Sequence, residues 1–174
     1  MRILAALLVA LPSYVFAASD DPPPKPTQTT KTCKGAMVWD AKAQKCVNPQ
    51  NSKLEGDTLY QAVRELAYAG RYADAQGVLA AMDDQTEDRV LTYWGFTYRK
   101  MGRAERARDY YRKAIARNPD NILARSYMAQ GFVEDGRIDD AIAQWREIKA
   151  RGGAGTWTEA SLRDAIRTGT TYSY

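Results

Sequence analysis

Apolar side chains recur at helical spacing in paired segments from residue 56 onward. In the middle pair, Leu91, Trp94, Gly95 and Tyr98 share one face of a segment that ends near Gly102. Ala107, Tyr111 and Ala114 follow at i, i+4 and i+7 in the next segment, so each set forms an apolar stripe on an amphipathic helix. Gly102 stands where a helix C′ residue takes positive φ, and Asn118-Pro119-Asp120-Asn121 stops the second helix and caps the next. Gly95 predicts a close approach of the two helices, with Ala107 expected to meet it. The turn itself recurs: Gly70-Arg71, Gly102-Arg103 and Gly136-Arg137 each begin the pattern G-R-x-x-x-A, spaced by 32 and 34 residues (102 − 70 and 136 − 102). The expected fold is all-α, a solenoid of antiparallel helix pairs over residues 56–87, 88–121 and 122–155. A capping helix follows over 156–167, with Thr156 as N-cap and Glu159 completing a capping box.

The chain before residue 56 reads differently. Arg2 precedes an apolar run from Ile3 to Leu11 and small residues ending at Ala17, the order of a secretory signal peptide cleaved after Ala17. That run is shorter than the roughly 20 residues a membrane span needs, so the mature chain is expected to be soluble, exported to the periplasm or beyond, with no transmembrane anchor. Residues 18–32 hold Pro22, Pro23, Pro24 and Pro26 and almost nothing large and apolar, which predicts an extended linker. Residues 33–47 run from Cys33 to Cys46, the two cysteines of the chain. In an oxidising compartment they are expected to form one disulfide around a short hairpin, a local staple dispensable for the helices.

Charge and composition narrow the chemistry. The net charge of +4 is too mild to argue for nucleic acid or an anionic membrane. The chain has no histidine, and its cysteines are expected to be oxidised, so the commonest acid-base, nucleophilic and metal-ligating groups are missing. No phosphate loop or nucleophile-elbow motif occurs. The acid pairs Asp83-Asp84, Glu134-Asp135 and Asp139-Asp140 are expected to serve helix ends and surface charge. No enzymatic activity, cofactor or metal is expected.

A repeat period of about 34 residues resembles that of the tetratricopeptide repeat. The middle copy is similar to that family at Leu91, Trp94, Gly95, Tyr98, Ala107, Tyr111, Ala114 and Pro119, while the outer copies are more degenerate. The resemblance implies a concave groove lined by the first helix of each repeat and a protein or peptide partner. In this chain the groove positions would be Tyr60, Arg64 and Tyr68; Arg89, Thr92, Phe96, Arg99 and Lys100; and Ser126 and Gln130 with Glu134. Basic groups interleaved with aromatics suit an extended peptide carrying carboxylates. The basic run between Arg99 and Arg117 is expected to be a solvated convex face. A second reading places function in the Cys33 to Cys46 loop, which is similar to half of a peritrophin-type chitin-binding module. Trp39 would there stack on a cell-envelope glycan.

Overall fold

The computed structural model describes residues 22–171. The expected signal peptide with its cleavage point, residues 18–21 of the linker, and Tyr172 and Tyr174 of the tail lie outside the described residues. One turn, used three times, organises the helices. α2 (Gly56–Tyr68) and α3 (Tyr72–Leu79) meet at Gly70, α4 (Asp88–Lys100) and α5 (Ala104–Arg117) at Gly102, and α6 (Ile122–Glu134) and α7 (Ile138–Ile148) at Gly136. At the middle turn Gly102 has φ +75° and donates to the Arg99 carbonyl, while Arg103 N donates back to Tyr98. This is the Schellman closure, and Gly70 and Gly136 repeat it with φ of +75° and +73°. The alanine of the motif then faces inward, with Ala75, Ala107 and Ala141 all buried. The arginine holds two of the three second helices by pairing one turn on, Arg71 with Asp74 and Arg137 with Asp140.

The helix pairs stack into a mostly helical solenoid, the all-α architecture that the periodicity predicts. α3 is short, and no proline follows it. Gln85 instead donates to the carbonyls of Leu79 and Met82, satisfying the acceptors that a helix C-terminus leaves open. Two expectations about the middle pair change. The group that meets Gly95 is the Tyr111 ring and not Ala107. Trp94 is only half-buried; the residue sealed in the core is its neighbour Tyr93.

α8 (Trp157–Thr168) packs on α6 and α7. It ends at Gly169, whose φ is +70° and which lies 33 residues after Gly136 (169 − 136). α8 therefore takes the place of the first helix of a fourth repeat. Thr156 Oγ1 accepts from Glu159 N, but the Glu159 carboxylate turns to Trp145 Nε1 at 2.6 Å, so only half of the expected capping box forms.

The N-terminal part does not stand apart. Within the expected linker, Gln28–Thr32 forms a one-turn helix, α1, capped by Thr27. The buried Glu65 carboxylate on α2 supplies the reason: it accepts from Thr27 N, Thr27 Oγ1 and Thr30 Oγ1. The Cys33–Cys46 disulfide closes around the antiparallel pair β1 (Val38–Asp40) and β2 (Lys45–Val47). Val38 is 1% exposed and joins the core of the helices, and Ala36 lies against Gly77 on α3. Arg71 Nη2 donates to the Gly35 carbonyl. The loop covers the apolar side that the first repeat would otherwise show to water. It is built into the fold as an N-terminal cap.

Candidate functional site

The groove starts from an aromatic floor. Tyr68 stacks on Phe96 with ring centres 5.8 Å apart, Phe96 meets Tyr127 at 4.7 Å, and Tyr60 meets Tyr93 edge to face at 5.6 Å. The hydroxyls of Tyr68 and Tyr127 share a hydrogen bond of 2.6 Å. Phe96 is 1% exposed, so this expected contact residue is the floor on which the groove is built.

Above the N-terminal ends of the first helices lies an open cavity of about 420 Å³. α2 supplies Asp57, Tyr60 and Gln61, and α4 supplies Asp88, Arg89 and Thr92. Asn118, Asn121 and Leu123 close it from the turn into α6. Three of the expected site residues, Tyr60, Arg89 and Thr92, thus come together. Asp57, Gln61, Asp88, Asn118 and Asn121 were not foreseen, although the Asn118-Pro119 stop fixed where a repeat boundary would fall. Asn121 works twice: its Oδ1 caps α6 through Ala124 N, and its Nδ2 donates to Asp88 Oδ2 and Thr92 Oγ1. Asn118 Nδ2 donates to the same Asp88 oxygen.

The basic groups of the groove bring their own partners. Arg89 lies 2.6 Å from Asp57 and 2.5 Å from Glu87, with its guanidinium 4.6 Å over the Tyr60 ring. Burial works against its charge, but the two carboxylates outweigh that and hold its pKa above the ordinary value. Arg99 is buried and paired with Glu134 at 2.5 Å, and Glu134 also accepts from Thr171 Oγ1. Glu134 is thus an ion-pair partner, where surface charge was expected. Arg64, also buried, donates to Gln61 Oε1 and to the Pro22 carbonyl. Lys100 is half-buried, and burial, then the neighbouring Arg99, lowers its pKa to about 8. Two of the basic groups that suggested a carboxylate-bearing ligand, Arg89 and Arg99, are thus already paired with carboxylates of the chain itself.

The third repeat contributes no open positions at Ser126 and Gln130. Ser126 Oγ donates to the Thr158 carbonyl, and Gln130 Nε2 lies 3.3 Å from Ser161 Oγ, so α8 seals both. Trp39 is half-buried and lines a separate depression of about 340 Å³ with Asp40, Lys42, Lys53 and Glu55. Asp40 is committed there to the backbone N–H groups of Lys42 and Ala43.

A family model, the tetratricopeptide repeat, matches residues 88–121, which are α4, α5 and the turn that follows. The middle helix pair is thus a tetratricopeptide repeat, and the helix pairs on either side share its architecture. Repeats of this family generally mediate interactions between proteins. No curated protein and no solved structure matches the chain.

Proposed function

We propose that the protein is an exported interaction module, not an enzyme, which holds an extended segment of a partner protein in the groove across α2, α4 and α6. The observation that carries this reading is the cavity lined by Tyr60, Arg89, Thr92, Asn118 and Asn121: convergent polar groups around the Tyr60 ring, which packs edge to face on the buried Tyr93 of the preformed aromatic floor. Such a floor needs no rearrangement to receive a chain, which lowers the ordering cost of binding. Export is supported by the signal-like N-terminus and by a disulfide, a bond that persists in oxidising compartments. Among the described residues no helix is long and apolar enough to cross a membrane.

A photo-crosslinking side chain placed in the full-length protein at Tyr60 or Arg89, and at Lys113 on the outer face as a control, tests the groove. The groove positions should trap a defined segment of one partner, mapped by mass spectrometry, and Lys113 should not. Equal trapping at Lys113 would move the interaction to the convex face. Recovery of the protein from the cytosolic fraction, with Met1 retained, would refute export.

A further inference from the structure

At one end of the groove the chain already binds a piece of itself. Arg64 occupies the same place in α2 that Phe96 occupies in α4 (both lie six residues before their turn glycine, 70 − 64 and 102 − 96). Arg64 is only 6% exposed, and its Nη2 donates to the Pro22 carbonyl at 2.5 Å. Nη1 is held by Gln61, a wall residue of the 420 Å³ cavity, so the same guanidinium joins Pro22 to a wall of that cavity. The segment is tied down at its other end too, where Thr27 N and Oγ1 donate to Glu65.

Composition explains why this segment fits an arginine. Pro22, Pro23, Pro24 and Pro26 have no N–H to donate, so the run offers mainly carbonyl acceptors. Proline also restricts the chain to extended conformations before binding, so little freedom is lost on docking. A guanidinium beside an aromatic ring, here Arg64 with its carbon 5.8 Å from the Tyr60 ring centre, meets both features of such a chain.

We propose that Arg64 is a carbonyl-reading subsite of the groove, filled at rest by the carbonyl of the chain's own Pro22, and that the partner is a proline-containing extended segment which binds by replacing the strap of residues 22–26. This rests on the groove reading above and adds the chemistry of the ligand and a built-in competitor. Because the strap is tethered, its local concentration is in the millimolar range, so an intrinsic strap dissociation constant of about 0.1 mM weakens a competing peptide about tenfold.

The test uses the full chain and a full-length variant whose residues 22–26 are replaced by glycine and serine at constant length. The probe is a fluorescent synthetic peptide carrying the sequence of residues 22–27 twice, with a control in which alanine replaces every proline. The strap variant should bind the probe about tenfold more tightly than the parent, and neither should bind the control. Arg64→Gln in the strap variant should abolish binding, with helical circular dichroism confirming that it folds. In the unaltered protein, excess probe should move the Lys25 amide NMR signal to its position in the free peptide, a readout that needs no substitution. Equal affinity for parent and strap variant, binding that survives Arg64→Gln, or an unmoved Lys25 signal would each overturn the proposal. If these fail while Tyr60 and Arg89 still crosslink a partner, the groove stands without its strap; if the crosslinks fail as well, both readings fall.

Discussion

The ring of Tyr111 lies on the Cα of Gly95, so closely that a β-carbon at 95 would stand 2.5 Å from Tyr111 Cε1. Both residues are buried, and the ring cannot retreat because it fills the space between α4 and α5. Gly95→Ala is expected to cost about 1–3 kcal/mol through overpacking, even though alanine is the better helix former. The check is a denaturant melt of the variant. Unchanged stability would mean that the two helices can move apart at no cost.

Tyr93 and Trp94 are neighbours with opposite fates. Tyr93 is 0% exposed and touches Tyr60, Phe96 and Tyr127, so Tyr93→Ala should cost about 3–5 kcal/mol. Trp94 is half-buried in a stack with Tyr98 and Tyr110, and Trp94→Ala should lose about 1–3 kcal/mol, the worth of two ring contacts. Equal losses in thermal melts would contradict this assignment of the core.

The repeat was readable because its signature residues act locally: glycine closes the Schellman turn and alanine five residues later must face inward. What covers each helix was not readable. Ser126 and Gln130 have the polarity of groove residues, and only the in-phase placement of α8, whose Gly169 lacks the R-x-x-x-A that follows the other turns, shows that they are sealed. Thr27 to Thr32 likewise has no apolar pattern, and its short helix depends on one distant carboxylate, Glu65. Counter-ions such as Asp57 for Arg89 and Glu134 for Arg99 lie 32 and 35 residues away, beyond any local motif.

Since Val38 and Ala36 pack on the helices, the disulfide should matter to more than its own loop. Closing a loop with a sequence separation of 13 is worth about 3 kcal/mol in the chain-entropy model. Reduction is expected to lower the main melting transition and to raise hydrogen exchange in α2 and α3. A main transition that does not move on reduction would show that the cap holds without its crosslink.

Lys100 makes stability depend on pH in a definite direction. Its pKa falls from 10.5 in the unfolded chain to about 8 when folded, chiefly through burial and secondarily through Arg99. The folded state therefore releases this proton first, and from about pH 8 upward the unfolded state binds more protons, so this group makes the protein more stable as pH rises. Tyr111 disturbs that window little: burial raises its pKa to about 12, and the unfolded tyrosine, with a pKa of about 10, is only about a quarter ionised at pH 9.5. Denaturant melts between about pH 7.5 and 9.5 should show stability rising in the parent relative to Lys100→Gln, which should be the more stable of the two at the lower pH. Parallel curves would remove Lys100 as the source.

Reversing the charge at Arg99 and at Lys100 should have unlike effects, though the two residues are adjacent. The Arg99 side chain is 3% exposed and threads past Gly131, whose absent β-carbon would lie 3.2 Å from Arg99 Cδ, to reach Glu134. Arg99→Glu would bury a carboxylate opposite the one it now neutralises; breaking a fully buried pair costs about 3–5 kcal/mol, an upper figure here because Glu134 is 37% exposed, and the repulsion adds to it. Arg99→Met keeps the length and removes the charge; Glu134 is 37% exposed and keeps its bond to Thr171, so this variant should fold with a far smaller loss. Lys100→Glu removes a positive charge that burial and Arg99 already disfavour and places its carboxylate beside Arg99, so its loss should be small. Thermal melts of the three variants should therefore rank Arg99→Glu far below the other two. Were Arg99→Glu to melt like Lys100→Glu, the Arg99–Glu134 pair would have to be open to solvent, and Arg99 would return to the set of groups able to meet a ligand.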